Sequence, residues 1–297
     1  LAVVLDASEG EVAWFPGPAT GVLALSDDEV VGLLDGSVGL VAHDAKPLLR
    51  SLFGLEVEVS SLALDTKLAA YLLDPADPRY DLAELLAKYA GAEMAGEEGT
   101  PPGQLDLGDG DGDGRDRVTA RRALATAALA APMREALEAR GLTKLNDEVE
   151  VPLVRVLARM EDLGIGVDRD ELQALADRLV AEVAEEREAI VAAAGREFNV
   201  NSTPQLREVL FDELGLTPQK KTKTGYSTDA ATLEKLRGEH PIIEHLLRYR
   251  EVEKLRSTYG EGLLAEVAVD GRIHATFNQT VARTGRLSSD QPNLHNI

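Results

Sequence analysis

From Asp168 to about Ala194 the sequence describes one uninterrupted helix that no single compact core accommodates. Asp168 stands as an N-cap, Glu171 follows three residues on as the other half of a capping box, and Leu172, Leu175, Leu179, Val183 and Ile190 recur on one face. About 27 residues at 1.5 Å each span roughly 40 Å, so the helix is expected to project. Three shorter helices are expected after it: Pro204 to Leu214 with Ser202 or Thr203 as cap, Asp229 to Leu236, and Pro241 to about Leu264. Between the first two lies Gln219-Lys220-Lys221-Thr222-Lys223-Thr224-Gly225, polar, cationic and turn-forming. After Asp270-Gly271, Arg272 to Gln279 alternates as a strand and Thr280 to Arg283 is expected to begin its partner. The last fourteen residues are polar and show little periodicity.

The first hundred residues have a different texture. Loose alternation at Leu1–Leu5 and Val12–Phe15 around Ser8-Glu9-Gly10 predicts a hairpin. Asp27-Asp28-Glu29 open a short helix, Val38 to Ala42 is a strand, and Pro47 can begin a helix over Lys46 to Phe53. Leu62 to Leu73 carries helical spacing, and Leu82 to Tyr89 is a further short helix. Strand and helix in alternation imply a small α/β domain. Residues 95–118 interrupt it with a glycine- and acid-rich stretch that reads as a flexible loop. Asp109, Asp111, Asp113 and Gly114 match the opening of a calcium loop, but Ala120 stands where a bidentate Glu is required and Asp116 where an apolar residue is usual. Beyond Val118 the chain is helical, with stops at Gly141 and Gly164.

The length of 297 residues suits about two domains. The absence of cysteine excludes disulfides, thiolate metal sites and a cysteine nucleophile. No apolar run suits a membrane span and no signal peptide opens the chain, so the expectation is a soluble, cytoplasmic protein. Net charge is −21, yet the division is uneven: residues 1–200 hold 18 basic and 39 acidic side chains, residues 201–297 hold 13 of each. The negative excess therefore belongs to the first two thirds and argues against nonspecific nucleic-acid binding only there.

In the balanced part the cations cluster in three places. Lys220, Lys221 and Lys223 share a loop; Arg248, Arg250, Lys254 and Arg256 share a helix; Arg283 and Arg286 precede Ser288, Ser289, Gln291, Asn293, His295 and Asn296. Such groups suit phosphate contacts and minor-groove acceptors. Ordinary solvated charge accounts for the same composition, and spacing alone leaves both readings open. His240 and His245 are expected at a helix start or on the surface, and His274 on a solvated strand face.

The run Thr284-Gly285-Arg286-Leu287-Ser288-Ser289-Asp290-Gln291-Pro292-Asn293-Leu294-His295-Asn296-Ile297 resembles, without a gap, the first conserved motif of family A DNA polymerases, the bacterial polymerase I type. Upstream the similarity continues through Glu150-Val151-Pro152-Leu153-Val154, Phe198-Asn199-Val200-Asn201-Ser202, Lys220-Lys221-Thr222, Tyr249-Arg250 and Lys254-Leu255-Arg256-Ser257-Thr258-Tyr259. The resemblance implies the start of a palm at 141–166, a thumb at 167–265, and palm strands with the first motif at 266–297. It implies that Lys220, Lys221 and Lys223 grip a primer–template duplex and that Arg286 reads the minor-groove edge of the primer-terminal pair. Arg250, Lys254, Asn278, Gln279 and Asn293 would hold the strands. His295 stands where Gln is usual, which puts its role in doubt.

Residues 1–140 resemble, less specifically, the 3′–5′ proofreading domain of the same family, an RNase H-like α/β fold, through Leu64-Asp65-Thr66-Lys67-Leu68, Asp81-Leu82-Ala83-Glu84-Leu85 and Val41-Ala42-His43-Asp44-Ala45-Lys46. Its two metals need four carboxylates. Leu48 aligns with one and Arg115 near another, and Asp6 to Glu9 has the wrong spacing for the opening pair, whose strand is expected upstream. A degenerate, exonuclease-dead domain is expected, with Asp65 as polar support. The palm carboxylates that hold Mg²⁺ and the fingers are expected beyond Ile297, so the chain alone should neither polymerise nor need a cofactor. Deoxynucleoside triphosphates would bind the complete enzyme. The alternatives are a non-catalytic duplex-binding fragment and an active 3′–5′ exonuclease.

Overall fold

The computed structural model describes residues 2–6, 11–14, 39–53, 59, 61–94, 112–223 and 225–296, with backbone alone for 2–6, 11–14 and 112–117. The helix expected after Asp27, the Ser8–Gly10 turn and the side chains of Asp109, Asp111 and Asp113 lie outside them. The chain divides into two units. Residues 1–164 and 274–296 form the first, and 165–273, inserted between them in sequence, form the second.

In the first unit β1 (Ala2–Asp6) and β2 (Glu11–Trp14) pair antiparallel. Strand β3 (Leu40–Ala42) leads into α1 (Ala45–Phe53), which buries Ala45, Leu49, Leu52 and Phe53. The segment expected as one helix from Leu62 is instead a strand, β4 (Leu62–Asp65), followed by α2 (Thr66–Leu73). A short apolar run of this kind is ambiguous in sequence, and its parallel pairing with β3 decides it. Asp65 makes the break. Its carboxylate accepts from the N–H groups of Lys67 (2.9 Å) and Leu68 (3.2 Å) in α2, and from Asp44 (3.1 Å) and Ala45 (2.7 Å) at the start of α1. One side chain thereby caps two helices.

Helix α3 (Leu82–Leu85) continues as a wider turn to Ala90. Helix α4 (Gly112–Ala139) begins earlier than the sequence suggests, because residues 112–118 belong to it and not to the loop expected there. The turns after Thr143 lead into α5 (Val151–Leu163), where Pro152 fits the first turn and Gly164 ends the helix. Leu49, Leu52, Leu64, Leu129, Met133 and Leu137 are fully buried in the shared core.

The second unit starts with β5 (Ile165–Gly166) and the long helix α6 (Arg169–Ala194), capped as expected by Asp168 through the Glu171 N–H at 3.1 Å. Helix α7 (Thr203–Arg207) with its continuation to Glu213, β6 (Lys221–Thr222), β7 (Gly225–Tyr226), α8 (Ala230–Glu234), α9 (Ile242–Leu255) and α10 (Glu261–Ala265) follow. Ile190, Leu206, Leu210, Leu233, Leu236 and Leu246 form its core. Along the packed pair of α6 and α9, Glu182 receives the Arg248 guanidinium and Glu186 meets His245 Nδ1 at 2.8 Å. The unit closes on β8 (Arg272–Ile273), antiparallel to β5 with Ile165 opposite Ile273.

Back in the first unit, β9 (Thr276–Asn278) pairs antiparallel with β10 (Ser288–Asp290), and Leu294–Asn296 forms a short 3₁₀ turn. The single strand expected over Arg272–Gln279 is thus two strands with different partners. The partner of β9 is not the expected 280–283 segment, which turns, but the polar 288–290 stretch. His274 is half-buried and not on a solvated face: its Nδ1 lies 2.8 Å from the Glu161 carbonyl oxygen, and its ring covers Gly164. A β-carbon on Gly164 would come within 2.8 Å of that ring.

Candidate nucleic-acid interface

Two sets of polar groups are presented, one by each unit. In the second unit the β6–β7 hairpin carries Lys221 and Lys223 at its tip, both exposed. The hairpin is braced from behind: Arg207 Nε donates to the Tyr226 carbonyl (2.6 Å), Thr222 Oγ1 to the Gly225 carbonyl (2.7 Å), and the Phe211 ring meets the Tyr226 ring edge-on at 5.5 Å. The two lysines make no hydrogen bond or ion pair among the described residues.

Lys220 differs. Its ammonium lies 3.6 Å from the Asp229 carboxylate, the cap of α8. Asp229 accepts from the Thr232 N–H at 2.8 Å, and bonds from Thr232 and Ser227, with Lys220 adding charge, hold its carboxyl well below the usual range.

The four helix cations separate in the same way. Arg248 is held by Glu182 and Glu251, and Arg256 by Glu253 and Glu261. Arg250 is half-buried and its Nη1 donates to the Thr228 carbonyl; burial lowers its pKa while Asp229 opposes the shift. Lys254, one turn further, is exposed and makes no such bond. Sequence clustering treats these four alike. Carboxylates three to seventy residues away distinguish them.

In the first unit the segment 279–287 joins β9 to β10. The turn Ala282–Gly285 closes with a Gly285 N–H bond to the Ala282 carbonyl (3.2 Å), and Gly285 takes φ +78°, a left-handed value that favours glycine. Arg286 follows directly and is exposed, without a polar partner among the described residues. Asn278, on β9, is half-buried and makes no side-chain bond among them. Gln279 is committed inward, its Nε2 donating to the Glu150 carbonyl (3.1 Å) and carboxylate (2.9 Å).

Beyond β10, buried Ser289 organises the end of the motif. Its hydroxyl donates to Asn293 Oδ1 (3.3 Å) and accepts from the His295 N–H (3.0 Å). The His295 ring meets Phe277 edge-on at 6.1 Å, so the imidazole is positioned by packing. Sequence reasoning passed over Ser289 and Asp229 as organisers, although both are short polar residues beside turns, where such roles concentrate.

Among the described residues no three His, Asp or Glu side chains gather to hold a metal ion. The chemistry of Asp65 agrees: both oxygens are spent on backbone N–H groups, and burial pushes its carboxyl above the usual range despite those four bonds. Leu48, where the resemblance puts a carboxylate, is half-buried on α1. Asp65, committed to capping, and the apolar Leu48 therefore supply no free carboxylate to a metal. Nor is any described helix long and apolar enough to cross a membrane.

The sequence profile of DNA polymerase family A matches residues 169–297. DNA polymerase I of Mycobacterium bovis is 40% identical over 303 aligned residues, covering all of this chain and 33% of the relative. That of Geobacillus stearothermophilus is 40% identical, covering 92% of this chain and 32% of the relative. The chain therefore spans about a third of the length of these relatives. Among solved structures, the POL domain of Pol1 from M. smegmatis, in complex with DNA primer-template and dNTP, superposes with a TM-score of 0.78 at 36% identity, over 94% of this chain and 46% of that one.

Proposed function

Since the chain belongs, through residues 169–297, to DNA polymerase family A, we propose that it is the duplex-holding part of a DNA-directed DNA polymerase of the bacterial polymerase I type. The observation that carries the reading is the contrast between paired and presented cations. Arg196, Arg237, Arg248 and Arg256 each lie against carboxylates, whereas Lys221, Lys223 and Lys254 in the second unit and Arg286 in the first stand exposed. Exposed, uncommitted cations are what phosphate binding uses, because no internal ion pair has to break first.

In this reading Lys221, Lys223 and Lys254 contact the phosphates of a primer–template duplex, with Lys220 and Arg250 as supports of the same surface. Arg286 donates to minor-groove acceptors that all correct pairs share, so it tests pair shape and not base identity. Asn278 and Asn293 add donors beside it; Gln279 and His295 serve chiefly as packing. Residues up to 140 act as a degenerate 3′–5′ exonuclease-like α/β domain, supported by the parallel pairing of β3 with β4 and by the commitment of Asp65 to capping. Mg²⁺ and deoxynucleoside triphosphates belong to the complete enzyme, a monomer acting at the nucleoid.

Fluorescence anisotropy with a labelled primer–template, titrated with salt, tests the reading. Lys221→Ala/Lys223→Ala should bind more weakly and lower the slope of log K against log salt by about 2. Arg286→Ala should weaken binding by about 1–3 kcal/mol. Unchanged affinity and slope in both variants would remove the proposal.

A further inference from the structure

Strand β9 lies in a two-stranded sheet, and an exposed strand edge leaves backbone groups that something must satisfy. At Phe277 two side chains do so. The Phe277 N–H donates to Glu161 Oε1 at 2.7 Å, and Lys46 Nζ donates to the Phe277 carbonyl. Lys46 also pairs with Glu161 Oε1, and Arg50 Nη1 reaches Glu161 Oε2 at 3.0 Å. The Glu161 side chain is only 2% exposed, so a buried carboxylate joins α1, α5 and β9, with Arg50 at the solvent edge.

A second tie lies five residues on. The Tyr71 hydroxyl, from α2, donates to the Ala282 carbonyl at 2.7 Å, the same carbonyl that closes the turn before Arg286. Between the two ties, Gln279 is held by Glu150. The segment from Phe277 to Ala282 is thus fastened at three points, two of them by side chains of the α/β layer.

We propose that Lys46 and Tyr71 are positioning residues for Arg286, and that fixing the strand and turn which present this arginine to duplex DNA is a function of the exonuclease-like layer. The proposal rests on the duplex-binding reading above. It gives that layer a task requiring neither metal nor hydrolysis. Lys46 acts through its two acceptors, so Arg can substitute and Met cannot; Tyr71 acts through its hydroxyl, so Phe keeps the packing and loses the tie.

The test compares the full chain with Lys46→Met, Lys46→Arg, Tyr71→Phe, Arg286→Ala, and Lys46→Met/Tyr71→Phe with and without Arg286→Ala. Amide hydrogen exchange is followed without DNA, and affinity for a labelled primer–template is measured in parallel. Lys46→Met and Tyr71→Phe should speed exchange over 276–286 while leaving 119–139, the helix that carries the buried Leu129, Met133 and Leu137 of the same unit, unchanged. They should weaken duplex binding by about fivefold, as expected for a displaced charged contact, and Lys46→Arg should restore it. Added to Arg286→Ala, the double substitution should weaken binding no further.

Unchanged exchange over 276–286 would overturn the brace itself, whatever the DNA does. Faster exchange with wild-type affinity, while Arg286→Ala binds weakly, would overturn its role in presenting the arginine. Wild-type affinity in Arg286→Ala would remove the duplex reading at this residue and the positioning role with it.

Discussion

Asp65 shows how much one side chain can decide. Its oxygens accept N–H groups from the first turns of α1 and α2, so a single carboxylate ends a strand and begins two helices. The cost is a charge held away from water, expressed in the upward push on its pKa. Asp65→Asn must turn an NH₂ group toward at least one of those donors. It should lose about 2 kcal/mol of stability, read as a lower urea midpoint with an unchanged slope. The resemblance to a proofreading domain pointed to this residue as polar support, but the apolar run from Leu62 hid the helix start that it caps. The sequence did not signal the second helix either, since Asp44 and Ala45 lie twenty residues upstream and nothing local connects them to position 65. Lys46 makes the same point: its alliance with Glu161, 115 residues away, left no local mark in the sequence.

Among the elements, those fixed by local chemistry were legible in detail. The long helix α6 begins at its Asp168 cap and ends where Gly195 takes a left-handed conformation, as its sequence pattern requires. Elements fixed by partners were less legible. β4 carries an apolar run compatible with helix until β3 pairs with it, and β10 is a polar triplet that becomes a strand only because β9 lies beside it. Residues 112–118 look like a loop by composition, yet they join α4. The β6–β7 hairpin was visible as a basic turn, but not the different states of its lysines. That difference can be measured. Asp229→Asn keeps a side-chain oxygen for the cap of α8 and removes the charge facing Lys220. The variant should bind primer–template more tightly than the parent at low salt and show a slope steeper by up to about 1, because a third hairpin lysine becomes available. An unchanged slope in the salt titration would mean that Lys220 reaches no phosphate.

On the scale of the whole molecule, the charge division near residue 200 and the unit boundaries at 164/165 and 273/274 fall at different places. The excess of acids lies in residues 1–200 and the balanced stretch begins inside the second unit, so average charge describes neither unit. The boundary itself is sharper than any compositional shift. At one side of it Ile165 and Gly166 pair with Ile273 and Arg272; at the other the His274 ring lies over Gly164. Each unit therefore has its own two ends already in contact. Residues 165–273 expressed alone should keep their helical circular dichroism and melt cooperatively, and a chain in which two glycines replace them should still fold its remaining core. A non-cooperative melt of either piece would show that the units depend on each other for stability. If the expectation holds, the β5–β8 ladder makes this gene segment portable: a host protein would need only to supply two positions about 5 Å apart. The two junctions, Gly164–Ile165 and Ile273–His274, would then be the points at which such a segment is cut from one chain and joined into another.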